Sequence, residues 1–365
     1  MFVGWRDILF AKGRFTLIGA TVALITLLLV MLTGLTGGLG NQNTDALEKL
    51  PADTLVFAPS NEGGDASFTD SQITAGLLNQ WQSAEGMTSA EPLGVSIGRL
   101  EAGSAVSMTL FSLPEGSPTV GEVSPLREGS LPADGEILLP ATTAQDAGAQ
   151  VGDTVTFSGT DLVVSGIAED TFYSHTLTGW ATTATWQNLT HQRTLEGDEA
   201  VVGTVMLAEG NADVEALASE TGTQAITPRE SFNALPAYTS ERGSLVTMQG
   251  FLYGISALVI ISFLTVWTIQ RTRDIAVMRA LGASQGFLTK DALAQTAVIL
   301  AVGVAFGALT GFGLGALAAN AVPFQLTALT VLAPAAGIWA LGMAGSLFAL
   351  RKVAKVDPMI ALGGN

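Results

Sequence analysis

Four stretches of this chain run for twenty residues or more without a charged side chain: 16–35, 245–269, 292–319 and 326–350. Each is rich in Leu, Val, Ile, Ala and Phe, and about 20 such residues cross a ~30 Å hydrocarbon core as an α-helix. The pattern predicts four transmembrane helices at 16–37, 245–270, 290–319 and 326–350. The first stands where a secretory leader would. Its apolar run exceeds the usual ~7–15 residues and the stretch Thr33–Gly38 is a poor cleavage site, so it is expected to remain as an anchor.

Segment 38–243 is patterned otherwise. Short β-branched runs at Gly135–Pro140, Val151–Phe157 and Leu162–Ala168, separated by Gly and Asp, predict strands of a small barrel-like β unit. Thr69–Ala84 and Asn211–Gly222 carry the spacing of short amphipathic helices, and Asn61–Ser67 that of a flexible loop. The expected fold is membrane α-helical: four transmembrane helices, with a mixed α+β extracytoplasmic domain inserted between helices 1 and 2.

Charge orients this arrangement. Arg6, Lys12 and Arg14 precede the first span, Arg271, Arg273, Arg279 and Lys290 lie between the second and third, and Arg351, Lys352 and Lys355 follow the fourth. These short segments hold ten of the sixteen basic residues against four acidic ones, whereas 38–243 carries six basic and twenty-eight acidic residues, a net of −22. Lys and Arg mark the cytoplasmic side. The expected protein is a multi-pass component of the cell membrane with both termini cytoplasmic and the acidic domain outside. The formal net charge of −16 excludes a nucleic-acid partner. With no cysteine, disulfides, thiolate metal sites and cysteine nucleophiles are excluded too.

Catalytic signatures are missing. No Gly-x-x-x-x-Gly-Lys-Ser/Thr phosphate loop, HExxH or paired-cysteine metal motif occurs, so the chain has no ATPase site of its own. His175 and His191 are lone histidines in polar surroundings, expected at the solvated surface; a Ser-His-Asp triad is formally possible but is not expected. The expectation is a non-enzymatic subunit.

The segment 271–286 is the most informative. Ile275, Met278 and Leu281 form one apolar stripe beside polar Arg271, Arg273, Asp274 and Arg279, and Gly282 can end a helix there. The order Arg271, Asp274, Ile275, Arg279, Gly282, Ala283 resembles the coupling helix of ABC-transporter permeases of the MacB and FtsX type, with Asp274 where Glu is usual. Residues 1–15, with the run from Trp5-Arg6-Asp7 to Phe15, are similar to that family's amphipathic helix leading into the first span, and the tail 351–365 also fits. One long external loop after span one, then three close spans, is the family's order. The resemblance implies a two-fold homodimer in the bilayer that docks two copies of a cytoplasmic ATPase, which binds the ATP and Mg.

Gly303, Gly307, Gly311 and Gly315 recur every four residues on one face of the third span. Such a strip permits close helix approach in lipid, within one subunit or across a dimer. The resemblance favours packing within the subunit, because the family's dimer contact lies mainly on spans one and two.

No span carries a central ionisable residue, which disfavours proton-coupled transport and points to a lipophilic cargo or a mechanical relay. Near the outer boundary stand Met31, Tyr238, Glu241, Arg242, Met248 and Tyr253. Tyr, Glu and Met can ligate haem iron and Arg can pair with a propionate; the alternative is that they anchor, pack and face solvent. Within the family, the size and order are similar to haem-efflux permeases, which implies haem as transported ligand with no cofactor of the subunit's own. An FtsX-like mechanotransmitter acting on an external hydrolase, or a lipoprotein or antimicrobial-peptide exporter, are the other readings.

Overall fold

The computed structural model describes residues 12–59, 64–191, 199–270, 277–278, 281–319 and 321–353. In chain order the elements begin with the long helix α1 (Lys12–Glu48), strands β1 (Thr54–Phe57) and β2 (Ile73–Thr74), and helix α2 (Ala75–Gln82). There follow β3 (Met87–Glu101), β4 (Ala105–Leu113), α3 (Thr119–Val123), β5 (Leu126–Gly129), β6 (Glu136–Pro140) and α4 (Ala141–Ala147). Next come β7 (Thr154–Phe157), β8 (Thr160–Ala168), β9 (Phe172–Tyr173), β10 (Thr176–Thr182) and α5 (Thr183–Leu189). The domain closes with β11 (Val201–Gly203), β12 (Val205–Gly210), α6 (Val214–Thr221), β13 (Gln224–Ile226) and a 3-10 turn at Glu230–Ala234. The last helices are α7 (Pro236–Gln270), α8 (Gln285–Ala318) and α9 (Ala328–Val353). The chain divides into a helical unit, 1–39 with 243–365, and a second unit, 40–242.

Among the described residues, α1, α7, α8 and α9 are the four helices long and apolar enough to cross a membrane. On α1 the inward positions Phe15, Ile18, Val22 and Leu29 follow helical spacing and meet Ile260, Leu264 and Trp267 of α7, Leu300 and Val304 of α8, and Ile338 of α9. Phe15 and Trp267 meet edge to face at 6.1 Å. Hydroxyls within the spans are bonded, as a lipid-embedded helix requires: Thr26 donates to the Val22 carbonyl at 2.8 Å, and Ser346 pairs with Thr296 at 3.2 Å.

The glycine strip of α8 faces α1. A Cβ at Gly303 would stand 2.9 Å from the Gly19 carbonyl oxygen and one at Gly311 2.9 Å from Val30 Cγ1; Gly307 abuts Ala23. Gly315 abuts Phe324 and Leu326 in the connection to α9. The strip thus serves packing within one subunit.

Both helices flanking the inserted domain are longer than their predicted spans. At ~1.5 Å per residue, the 37 residues of α1 measure roughly 55 Å, well beyond the hydrocarbon thickness. The first helix, expected to end at residue 37, continues through Gly37, Gly38 and Gly40 to Glu48. Gly34, Gly37 and Gly38 are small because Pro323, Phe324 and Gln325 lie directly on them, and Gln325 N donates to the Gly34 carbonyl at 2.9 Å.

The second unit is mixed α+β, as expected. Its main sheet runs β13-β1-β12-β3-β4-β10-β6-β8-β5, and β7 pairs with both β3 and β8. The ladders β3-β4-β10-β6-β8-β7-β3 therefore close into a ring, which is the barrel-like unit. Alternate residues fill it: Met108 and Leu110, Ile137 and Leu139, Val155 and Phe157, Leu162 and Val164 are all buried together. The intervening Phe111, Leu138 and Trp180 point the other way, into a second core with Leu55, Phe57, Phe68, Tyr173 and the outer end of α1, Ala46 and Leu47. The 15-residue β3 links the two, pairing with β12 through Leu93 and with β4 from Gly94 onward.

Helices α2 and α6 confirm the two amphipathic segments with tighter limits. Thr74 and Asp213 cap them, accepting from the Leu77 and Ala216 amides, and Gly222 ends α6 at φ +69°. The strand expected from Val151 begins at Thr154 instead, because Gly152 turns the chain at φ +89° while its amide donates to the Val164 carbonyl at 2.8 Å.

Candidate functional site

The second unit contains the outer part of α1, from Gly40, and the first turns of α7, to Arg242. Between them comes the turn joining β9 to β10. Ser174 and His175 adopt left-handed φ of 48° and 64°, uncommon for residues with a Cβ. The turn is held from both sides of the backbone: Ser174 N donates to the Asn43 carbonyl at 3.1 Å and His175 N to the Gln42 carbonyl at 2.9 Å. The imidazole Nε2 stands 2.9 Å from each carboxylate oxygen of Glu241, and Asn43 Nδ2 donates to the same carboxylate at 3.1 Å. Phe172 N donates to Asp45, which also pairs with Lys49 at 3.0 Å. One turn thus fastens α1, α7 and β10.

His175 is therefore no solvated bystander, as lone polar-region histidines were expected to be; its side chain is 29% exposed and committed to Glu241. The missed signal is the pair of non-Gly left-handed positions, which no residue type announces. His191 is exposed, in line with its expectation.

The six cargo candidates fall into both units. Tyr238 packs edge to face on Phe232 at 5.8 Å, with the Arg242 guanidinium 5.9 Å over its ring. Tyr238 and Arg242 thus stack on one another, while Glu241, on the same turns of α7, is engaged by His175 and Asn43. In the helical unit, Met31 is half-buried on α1, Met248 is 57% exposed on α7, and Tyr253 turns toward α9, its hydroxyl 3.3 Å from a Cβ placed on Gly337. Near them Gln249 Nε2 donates to Thr36 Oγ1 at 3.1 Å, joining α7 to α1.

The helical unit also holds a groove of about 790 Å³ between α1 and α8, walled by Phe15, Ala20, Leu24, Leu27, Val302 and Phe306. Its walls are almost wholly apolar. Sequence reasoning missed it, because its residues are indistinguishable from lipid-facing ones. Among the described residues, no group of three or more His, Asp or Glu side chains is placed to hold a metal ion.

Of the coupling segment, Met278 and Gly282 are described, and Arg271, Arg273, Asp274, Ile275 and Arg279 lie outside the described residues, as do the leading segment 1–11 and the tail from 354. Gly282 has φ +97° and the Ala283 amide donates back to the Met278 carbonyl at 3.0 Å, the six-to-one bond of a glycine-terminated helix. Ser284 then caps α8.

Residues 16–223 match the MacB-like periplasmic core domain and residues 246–358 the FtsX-like permease C-terminal domain. The chain belongs to the MacB/FtsX-type ABC-transporter permeases. Similar full-length proteins include one named as a hemin transport system permease protein, HrtB, of Staphylococcus haemolyticus, 25% identical over 100% of this chain and 99% of the relative. An HrtB-named protein of Staphylococcus epidermidis is 22% identical over both full lengths, and an uncharacterized ABC transporter permease of Mycobacterium bovis is 24% identical over 100% of this chain and 99% of its own. The periplasmic region of MacB from Actinobacillus actinomycetemcomitans aligns at 17% identity and TM-score 0.38, covering 50% of this chain and 92% of that one. As a MacB/FtsX-type permease, the chain is a multi-pass membrane protein and a transport subunit that works with an ATPase.

Proposed function

We propose that this permease is the membrane subunit of an ATP-driven efflux pump for a lipophilic cargo, and that the cargo is haem. The supporting observation is the wall chemistry of the helical unit: spans without central charges and an apolar groove of about 790 Å³ suit a flat, lipophilic ligand rather than an ion. Full-length similarity to proteins named for hemin transport agrees with that chemistry. In this reading two permeases pair in the cell membrane, with both termini cytoplasmic, and each docks one ATPase through 271–286. The candidate iron ligands in this reading are the oxygen groups of Glu241 and Tyr238 and the sulfur groups of Met31 and Met248, with Arg242 as the partner of a propionate. Tyr253, turned to Gly337, serves helix packing.

The test is haemin binding to the purified permease with its ATPase in lipid discs, read as a shifted Soret band, together with haemin tolerance of cells. Binding that weakens in Glu241→Ala or Met248→Ala supports the reading; no haemin binding by the wild type overturns it. A relay to an external hydrolase is favoured by the fastening of α1 and α7 to β10, and would show as hydrolase activation without any haemin effect.

A further inference from the structure

Glu241 has two claims on its carboxylate. It is a candidate cargo ligand at the foot of the acidic domain, and it also closes the fastening around His175 and Asn43. Both oxygens lie 2.9 Å from His175 Nε2, and Oε2 additionally accepts from Asn43 Nδ2 at 3.1 Å. A carboxylate so engaged has few lone pairs left in the directions a metal centre needs. Its side chain is nevertheless 40% exposed, so an external ligand can reach it. The fastening has two separable halves. The backbone half, Ser174 N to Asn43 O and His175 N to Gln42 O, depends only on the left-handed turn. The side-chain half depends on Glu241.

We propose that Glu241 is shared between these states: with no cargo it is clasped by His175 and Asn43, and on cargo binding it is drawn to the ligand while the backbone half of the clasp stays closed. His175 is then a positioning residue that competes with cargo. This rests on the haem-efflux reading given above. Any ligand that needs Glu241 is weakened by the population in which the carboxylate is already taken, and removing the competitor restores the full affinity. A purely structural histidine would have the opposite sign, because its loss would loosen the site.

Haemin titration of the full permease–ATPase complex in lipid discs decides the matter. His175→Gly keeps the left-handed turn without Cβ strain and removes only the imidazole; His175→Asn also tolerates that φ and is too short to reach Glu241. Both variants are expected to bind haemin about threefold or more tightly than wild type, with unchanged thermal unfolding of the external domain, while Glu241→Gln binds more weakly. Equal or weaker binding by both histidine variants, with Glu241→Gln still weakened, overturns the competition and leaves haem as cargo. Unchanged binding by Glu241→Gln overturns it as well. Absence of haemin binding by the wild type removes the cargo reading and this proposal together.

Discussion

Gly307 of α8 rests against the carbonyl oxygen of Ala23 on α1, so closely that no Cβ fits between them. Gly303 meets the Gly19 carbonyl and Gly311 the Val30 side chain of the same helix, while Gly315 meets Phe324 and Leu326 instead. In lipid, where apolar surface gives no net drive for association, this close contact is what holds the two helices together.

Gly307→Val should therefore force α1 and α8 apart and lower stability by roughly 1–3 kcal/mol, the usual cost of overpacking a close contact. Gly313→Ala on the same helix meets nothing within 4 Å and is the control. Thermal unfolding of the detergent-purified chain measures both. Equal melting temperatures for the two variants would contradict the packing role.

Glu209 offers a pH test in the second unit. Its carboxyl is raised above the ordinary value of 4.5, first by burial and then by the charges of Asp53, Glu91 and Glu122. The fold thus prefers the protonated form, whose stabilisation is complete below the ordinary value and is lost as pH rises through the raised one. Glu209→Gln should unfold at a higher temperature than wild type at pH 7, with the gain vanishing below about pH 4. The effect is small, because the group is largely solvated and screened.

Half of the ring, β3, β4 and β10, gave no signal that was read from the sequence; the four spans and β6, β7 and β8 were legible, as uncharged runs of membrane length and as short β-branched runs set off by Gly and Asp. The ends of α1 and α7 were not. Gly37 and Gly38 sit within α1 with Gln325 and Pro323, nearly three hundred residues away, directly against them, a contact no local reading of the sequence contains. Glu241 was legible as a polar group near a boundary, but its partner was hidden. His175 is 66 residues upstream, and their meeting depends on a turn whose two left-handed residues are Ser and His rather than Gly or Asn.

Orientation is open to direct measurement. The short segments carry ten basic residues against four acidic, a bias that predicts them on the cytoplasmic side. A reporter fused after Asn365 should be cytoplasmic and one inserted at Gly63 external. The reverse pattern would remove the ATPase from reach of 271–286 and, with it, the pump.

Coupling is the last test, and it concentrates on a few residues. The Ala283 amide donates to the Met278 carbonyl, and α8 starts directly behind the Ser284 cap. A push delivered at Met278 therefore has few residues to cross before it reaches α8. If the ATPase docks on 271–286 as proposed, Asp274 and Arg279 offer it charges of both signs. Replacing both with Ala removes no residue of the helix-packing core, so the helical unit should fold and insert as before. The pump should nevertheless retain ATP hydrolysis only in uncoupled form, with weaker co-purification of the ATPase and loss of haemin tolerance in cells. Gly282→Ala should give a milder version, because φ +97° strains a residue with a Cβ by ~1 kcal/mol or more without touching the docking charges. Undiminished co-purification and transport in the Asp274→Ala, Arg279→Ala double variant would show that the ATPase grips the permease elsewhere.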